Sequence, residues 1–181
     1  MSTRINAIQN EDATGAAKEL LDVVQSKLGM TPNLMKTLAN SPEALAGYLS
    51  LNQALGTTLS APLREQIAIT VANANGCRYC LSAHTALGKM AGLGEAEVSA
   101  ARQADSVEPR SKAALEFAKR VMSTRGSVSD DDLSKVREAG FGDKEITEIV
   151  AHVALNTLTN YFNNVARTEI DFPEIALTAT A

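Results

Sequence analysis

Two cysteines and a histidine lie within eight residues, in the run Asn75-Gly76-Cys77-Arg78-Tyr79-Cys80 followed by Ala83-His84, with Arg64-Glu65 upstream. At about 100° per residue, Cys80 sits about 300° around a helix from Cys77, and His84 about 40° beyond Cys80. All three share one stripe of a helix that begins near Cys77. A thiolate, not a thiol, attacks a peroxide oxygen, and an ordinary cysteine is mostly protonated at neutral pH. A helix N-terminus favours the thiolate, an imidazole one turn away can take the proton, and a carboxylate behind it can fix the tautomer. Glu65 stands eleven residues before Gly76. If two helices fold back around that glycine, Glu65 faces the neighbourhood of Leu87, within a turn of His84. The expected order is Cys80 to His84 to Glu65, a nucleophile, its base and an orienting group. Cys80 is assigned the attack because it is nearer His84. Cys77 then resolves the sulfenic acid to a disulfide and meets the reductant.

Other readings of these residues stay open. A C-x-x-C pair also occurs in metal sites, but zinc normally takes four ligands. Cys77, Cys80 and His84 supply three, with only His152 or a carboxylate left over. His152, on an apolar run, reads as a hydrogen-bonded core histidine. Glu65 alone could be a solvated carboxylate in the first turn of a helix. Asp130-Asp131-Asp132 reads as a solvated helix start, and the Leu, Val and Ile stripes as core. No metal and no cofactor is expected.

The elements that must position the motif read as helices throughout. Asp12 precedes a run carrying Leu20, Leu21, Val24 and Leu28, stopped by Gly29. Thr31-Pro32 and Ser41-Pro42 each place a capping side chain before a proline at the first helical position. The second opens a run through Leu55. Ser60-Ala61-Pro62 opens the helix that carries Glu65 and ends near Gly76, and the cysteine helix runs from Cys77 to Met90. Further helices are expected over 95–103 and 109–124. Ser129 to Asp132 has the spacing of a capping box, and Asp143 is read as the cap of a last, longest helix reaching about Asn164. The β-branched cluster Ile67, Ile69, Thr70 and Val71 lacks period-two alternation and any second strand to pair with. Residues 170–181, containing Pro173, are read as a surface tail.

The 181 residues suit one all-helical domain, with the redox motif over 62–92. Hydrophobic residues are 45% and charged residues 21%, an ordinary soluble composition; with 4% aromatics and no Trp, the core falls to Leu, Ala, Val and Ile. Such a small-residue core suggests a homo-oligomer. A net charge of −4 without a basic cluster argues against nucleic acid or an anionic membrane as partner. No signal peptide or membrane span is read, so the protein is expected in the cytoplasm. In that reducing compartment a disulfide closing so small a loop is a poor structural staple.

The chain resembles the alkylhydroperoxidase D branch of the carboxymuconolactone decarboxylase superfamily. The family signature is a Glu, eleven residues, C-x-x-C, three residues and a His, which Glu65, Cys77, Cys80 and His84 match without a gap. The likeness is strongest from Ser60 to Gly94. Weaker support comes from Gly29-Met30-Thr31-Pro32-Asn33-Leu34, Ser41-Pro42, Asn160-Tyr161-Phe162-Asn163 and Asp171-Phe172-Pro173. The resemblance implies an all-α, multi-helical bundle with a central CxxC helical hairpin, homo-oligomers (trimers or hexamers), and metal-free reduction of hydroperoxides through a Glu–His proton relay. It implies a dithiol protein or small thiol as reductant. Tyr79 stands where well-studied members carry a second histidine. The lactone decarboxylases of the superfamily do not characteristically carry the C-x-x-C, so that activity is not expected. Two other functions remain in view: a disulfide reductase, and a non-catalytic redox-sensing or metal-binding helical module.

Overall fold

A computed structural model describes residues 2–177. Among them the secondary structure is helical throughout, in the order α1 (Gly15–Leu28), α2 (Asn33–Leu38), α3 (Pro42–Ala54), α4 (Ala61–Ala74), α5 (Arg78–Met90), α6 (Glu95–Ala101), α7 (Pro109–Ser123), α8 (Asp130–Glu138) and α9 (Asp143–Ala166). None of these helices is long and apolar enough to cross a membrane.

Helix α4 is the axis of the bundle, with α5, α6, α7 and α9 all packed on it. Every residue from Gln66 to Asn73 is buried. A helix covered on all sides has no polar stripe to display, which explains why its sequence carries β-branched residues all around rather than a clean amphipathic period. Its buried polar groups find partners at the C-terminal end of α6. Thr70 Oγ1 donates to Ala101 O at 2.7 Å and Asn73 Nδ2 to Arg102 O at 3.1 Å. Leaving either group unpaired in this interior would cost more than the bond contributes.

Helices α4 and α5 form the expected hairpin. Gly76 makes the reversal with φ +64°, a conformation that a side chain disfavours. Further along, Gly88 lets the two helices approach. A Cβ there would stand 3.0 Å from Leu93 Cδ1 and 3.6 Å from Glu65 Cβ. The missing side chain therefore keeps the Glu65 turn against the His84 turn.

Several helix starts differ from expectation. Asp12, which precedes α1, sits in a turn closed on Gln9 O, and the helix begins only after Thr14. Thr31 does not cap α2, because its hydroxyl bonds Gln25 Oε1 at 2.9 Å and Pro32 takes the cap position. The amides are served from far away instead. Asp171 accepts from Asn33 N at 2.7 Å, and the Tyr79 hydroxyl accepts from Leu34 N at 3.1 Å. At α9 the cap is Gly142, whose amide donates to Glu145 Oε2 at 3.1 Å, with Asp143 already inside the helix. The Ser41 and Ser60 caps and the Ser129–Asp132 box are present as read.

The segment after α9 runs back over the redox hairpin. Phe172 meets Tyr79 edge-on with ring centroids 5.9 Å apart. Ile175 N donates to Ser82 Oγ at 3.0 Å, and Glu174 pairs with Arg78. Together with the Asp171 cap, these contacts strap residues 171–175 to α2 and α5. Residues 178–181 of the expected tail lie outside the described residues.

Candidate active site

Cys77 is the N-cap of α5, and its sulfur accepts from Cys80 N at 3.2 Å. Cys80 follows in the first turn. The two residues, with Cα atoms 5.3 Å apart, are joined as a disulfide. Both sulfurs therefore lie where the helix offers unpaired amides and a favourable field for negative charge. The pair is inside the protein, with Cys77 0% and Cys80 3% exposed.

The second half of the constellation is more open. His84 Nδ1 lies 2.8 Å from Glu65 Oε2, with the two side chains 23% and 20% exposed. A carboxylate accepting from Nδ1–H leaves Nε2 as the acceptor of the ring, the tautomer required of a base. The hairpin thus brings Glu65 and His84 together across α4 and α5, as the register around Gly76 predicts. In the disulfide, Cys80 Sγ carries no proton to pass to His84, and its hydrogen-bond donor is Asn163 Nδ2 at 3.3 Å, from α9.

Glu65 and His84 line a small cavity of about 50 Å³ with Tyr48, Asn52, His152 and Asn156 among its walls. That volume accommodates a few small polar molecules and no more. Tyr48 is pushed up to about 12, first by burial and then by the Glu65 charge, so its hydroxyl stays protonated. Burial holds His152 below the usual histidine range, ahead of a smaller opposing effect from its bond to Leu55 O at 3.2 Å. His152 is the hydrogen-bonded core histidine expected, but it also forms a wall of this cavity. Tyr79 points away from it, to α2 and the strap, and burial drives its hydroxyl far up. Among the described residues, no three His, Cys, Asp or Glu side chains gather as metal ligands.

Tyr48, Asn156 and Asn163 were not singled out from sequence as site residues. One signal was present: Asn156, Asn160 and Asn163 recur at four- and three-residue spacing on α9, and all are buried. Buried amides in a row on an apolar helix face need partners, which makes them candidates for a site.

The carboxymuconolactone decarboxylase family model matches residues 42–120. Among solved structures, the chain is similar to an alkylhydroperoxidase AhpD core, an uncharacterized peroxidase-related protein from Ralstonia eutropha JMP134. That match has 26% identity and a TM-score of 0.84, over 93% of this chain and 92% of that one. An uncharacterized peroxidase-related protein from Silicibacter sp. TM1040 aligns at 23% identity and TM-score 0.78, over 96% and 93% of the two chains. The debrominase Bmp8, in complex with 2,3,4-tribromopyrrole, aligns at 20% identity and TM-score 0.79 over 94% and 93%. The search of curated proteins gives no match. The matched family segment contains the whole redox hairpin, and the bundle around it is the one found in the peroxidase-related relatives. Residues 42–120 thus resemble the carboxymuconolactone decarboxylase family, and the bundle as a whole has the fold of an alkylhydroperoxidase AhpD core.

Proposed function

We propose that the protein is a thiol-dependent peroxidase that reduces hydroperoxides through Cys77 and Cys80, with Glu65 and His84 as its proton relay. The observation that carries this reading is the 2.8 Å Glu65–His84 contact, one helical turn beyond the cysteine pair. In the reduced protein, His84 takes the Cys80 proton and Glu65 holds the imidazolium in place. The Cys80 thiolate attacks the terminal peroxide oxygen, the O–O bond breaks, and the proton on His84 goes to the departing alkoxide. Cys80 is left as a sulfenic acid and the product is an alcohol. The Cys77 thiol then attacks that sulfur, forming the disulfide and releasing water. A dithiol protein or small thiol returns two electrons and two protons, and is itself oxidised to a disulfide.

The burial of both sulfurs favours small oxidants, and the strap over α5 must loosen for a reductant to reach Cys77. The cycle suits the cytoplasm, where such thiols are kept reduced. The outer face of α9 carries exposed Val150, Leu158, Tyr161 and Val165, spaced as one helical stripe, and supports a homo-oligomer built through that face.

The test is a thiol count on reduced protein before and after a small excess of an organic hydroperoxide, with Cys80→Ser alongside. The expected result is loss of both wild-type thiols per peroxide consumed, and little reaction in the variant. Survival of both thiols would remove hydroperoxides as the substrate and turn attention to protein disulfides.

A further inference from the structure

Asn163 lies in the last turn of α9, 3% exposed, with its Nδ2 on Cys80 Sγ at 3.3 Å. Its carbonyl oxygen Oδ1 has no hydrogen-bond partner among the described residues. A buried amide with one end unpaired is a net cost to the fold, which an apolar side chain of the same size would avoid. Asn163 is therefore poorly explained as packing. A neutral amide donating to a disulfide sulfur contributes little, because sulfur in that state is a weak acceptor. The same bond to a thiolate is charge-assisted and much stronger.

The two sulfurs are not equivalent in this respect. Cys77 Sγ has a backbone donor, the amide of Cys80, which any N-cap side chain would receive. Cys80 Sγ lies beyond the cap, and its donor comes from another helix. Without Asn163, the helix terminus alone would favour negative charge on Cys77. We infer that Asn163 is the thiolate-stabilising residue of the site, a side-chain donor that keeps the anion of the reduced pair on Cys80 and so makes Cys80 the attacking sulfur.

Of the surrounding charges, only His84, once protonated, favours the anion on Cys80. On α5 the titratable neighbours are Cys77, Arg78, Tyr79 and His84. On α4 there is Glu65, at the C-cap of α9 Arg167, and in the strap Asp171 and Glu174. Glu65 is engaged with His84, Glu174 with Arg78, and Asp171 with the Asn33 amide. Tyr79 is neutral, its hydroxyl held at Leu34 N. His84 accepts the proton that leaves Cys80 and becomes its counter-ion, while Asn163 holds the anion from the opposite element. The ionisation itself is simple: the S–H bond of Cys80 breaks heterolytically, the electron pair stays on sulfur, and the proton passes to His84.

This inference rests on the assignment of Cys80 as the attacking residue, but its test uses no peroxide. Thiolate absorbance is titrated in the single-thiol variant Cys77→Ser, where only Cys80 ionises, with and without Asn163→Leu. Loss of the donor is expected to raise the Cys80 pKa by about one to two units, the effect of removing a hydrogen bond to a charged group. Asn163→Asp, of the same shape but with a carboxylate toward the sulfur, should raise it further and covers the case in which the leucine variant fails to fold. In the reciprocal Cys80→Ser variant, Asn163→Leu should leave the Cys77 titration where it was, which a general loosening of the site would not do. An unmoved Cys80 titration in both variants, or an equal rise for Cys77 and Cys80, overturns the inference. Peroxide consumption by the wild-type protein is a separate measurement, so failure of the peroxidase reading would be seen there and not here.

Discussion

Replacing Glu65 with Gln tests the relay with minimal disturbance of the fold. The substitution keeps the side-chain shape but replaces a charge-assisted bond to His84 by a neutral one. It also offers Nδ1 an amide donor, which favours the tautomer with its proton on Nε2, the wrong one for a base. A hydrogen bond to a charged group contributes roughly 1.5–3 kcal/mol. Glu65 and His84 are about one-fifth exposed, and water screens part of that, so the lower half of the range applies. At 1.36 kcal/mol per factor of ten, oxidation of the thiols by an organic hydroperoxide should slow about ten- to thirtyfold. The assay is single-turnover loss of free thiol in reduced protein, followed by rapid quenching. Stability should fall by no more than about 1 kcal/mol, because partly exposed ion pairs contribute little. A Glu65→Gln protein that folds and oxidises at the wild-type rate would refute the relay and return Glu65 to the role of a solvated first-turn carboxylate.

Two further outcomes are expected. Because the folded protein holds His152 below its ordinary value of 6.5, chiefly by burial, the unfolded chain takes up a proton that the native state refuses. The contribution of His152 to stability is therefore present above pH 6.5 and lost as the pH falls from there toward the folded value. Denaturant unfolding at a series of pH values should show that slope in the wild type and a shallower one in His152→Gln; equal slopes would contradict it. On α9, Leu158→Glu places a charge on an exposed apolar stripe and should shift the protein to smaller species in sedimentation at micromolar concentration. An unchanged sedimentation profile would mean that this face is not the interface.

What could be read from the sequence rests on local periodicity. Glu65, Cys77, Cys80 and His84 lie in two consecutive helices joined at one glycine, so helical pitch and the register about Gly76 suffice to pair Glu65 with His84. The serine caps and the Ser129–Asp132 box were legible for the same reason, since donor and acceptor are three residues apart. Thr31 failed as a cap because its hydroxyl turns to Gln25, and the Asn33 and Leu34 amides are served instead by Asp171 and Tyr79, 138 and 45 residues from them along the chain, which no local pattern announces.

The same division runs through the site. Sequence spacing determined which side chains could form a redox pair with a base and its carboxylate. Tertiary packing decided what surrounds them: α9 carries Asn163 to Cys80, His152 and Tyr48 close the cavity beside Glu65, and the strap covers the helix that bears the sulfurs. Each of these contacts joins residues far apart in the chain. Their geometry follows from how the helices pack around the buried α4, and helical periodicity carries no information about a partner on a helix distant in the chain.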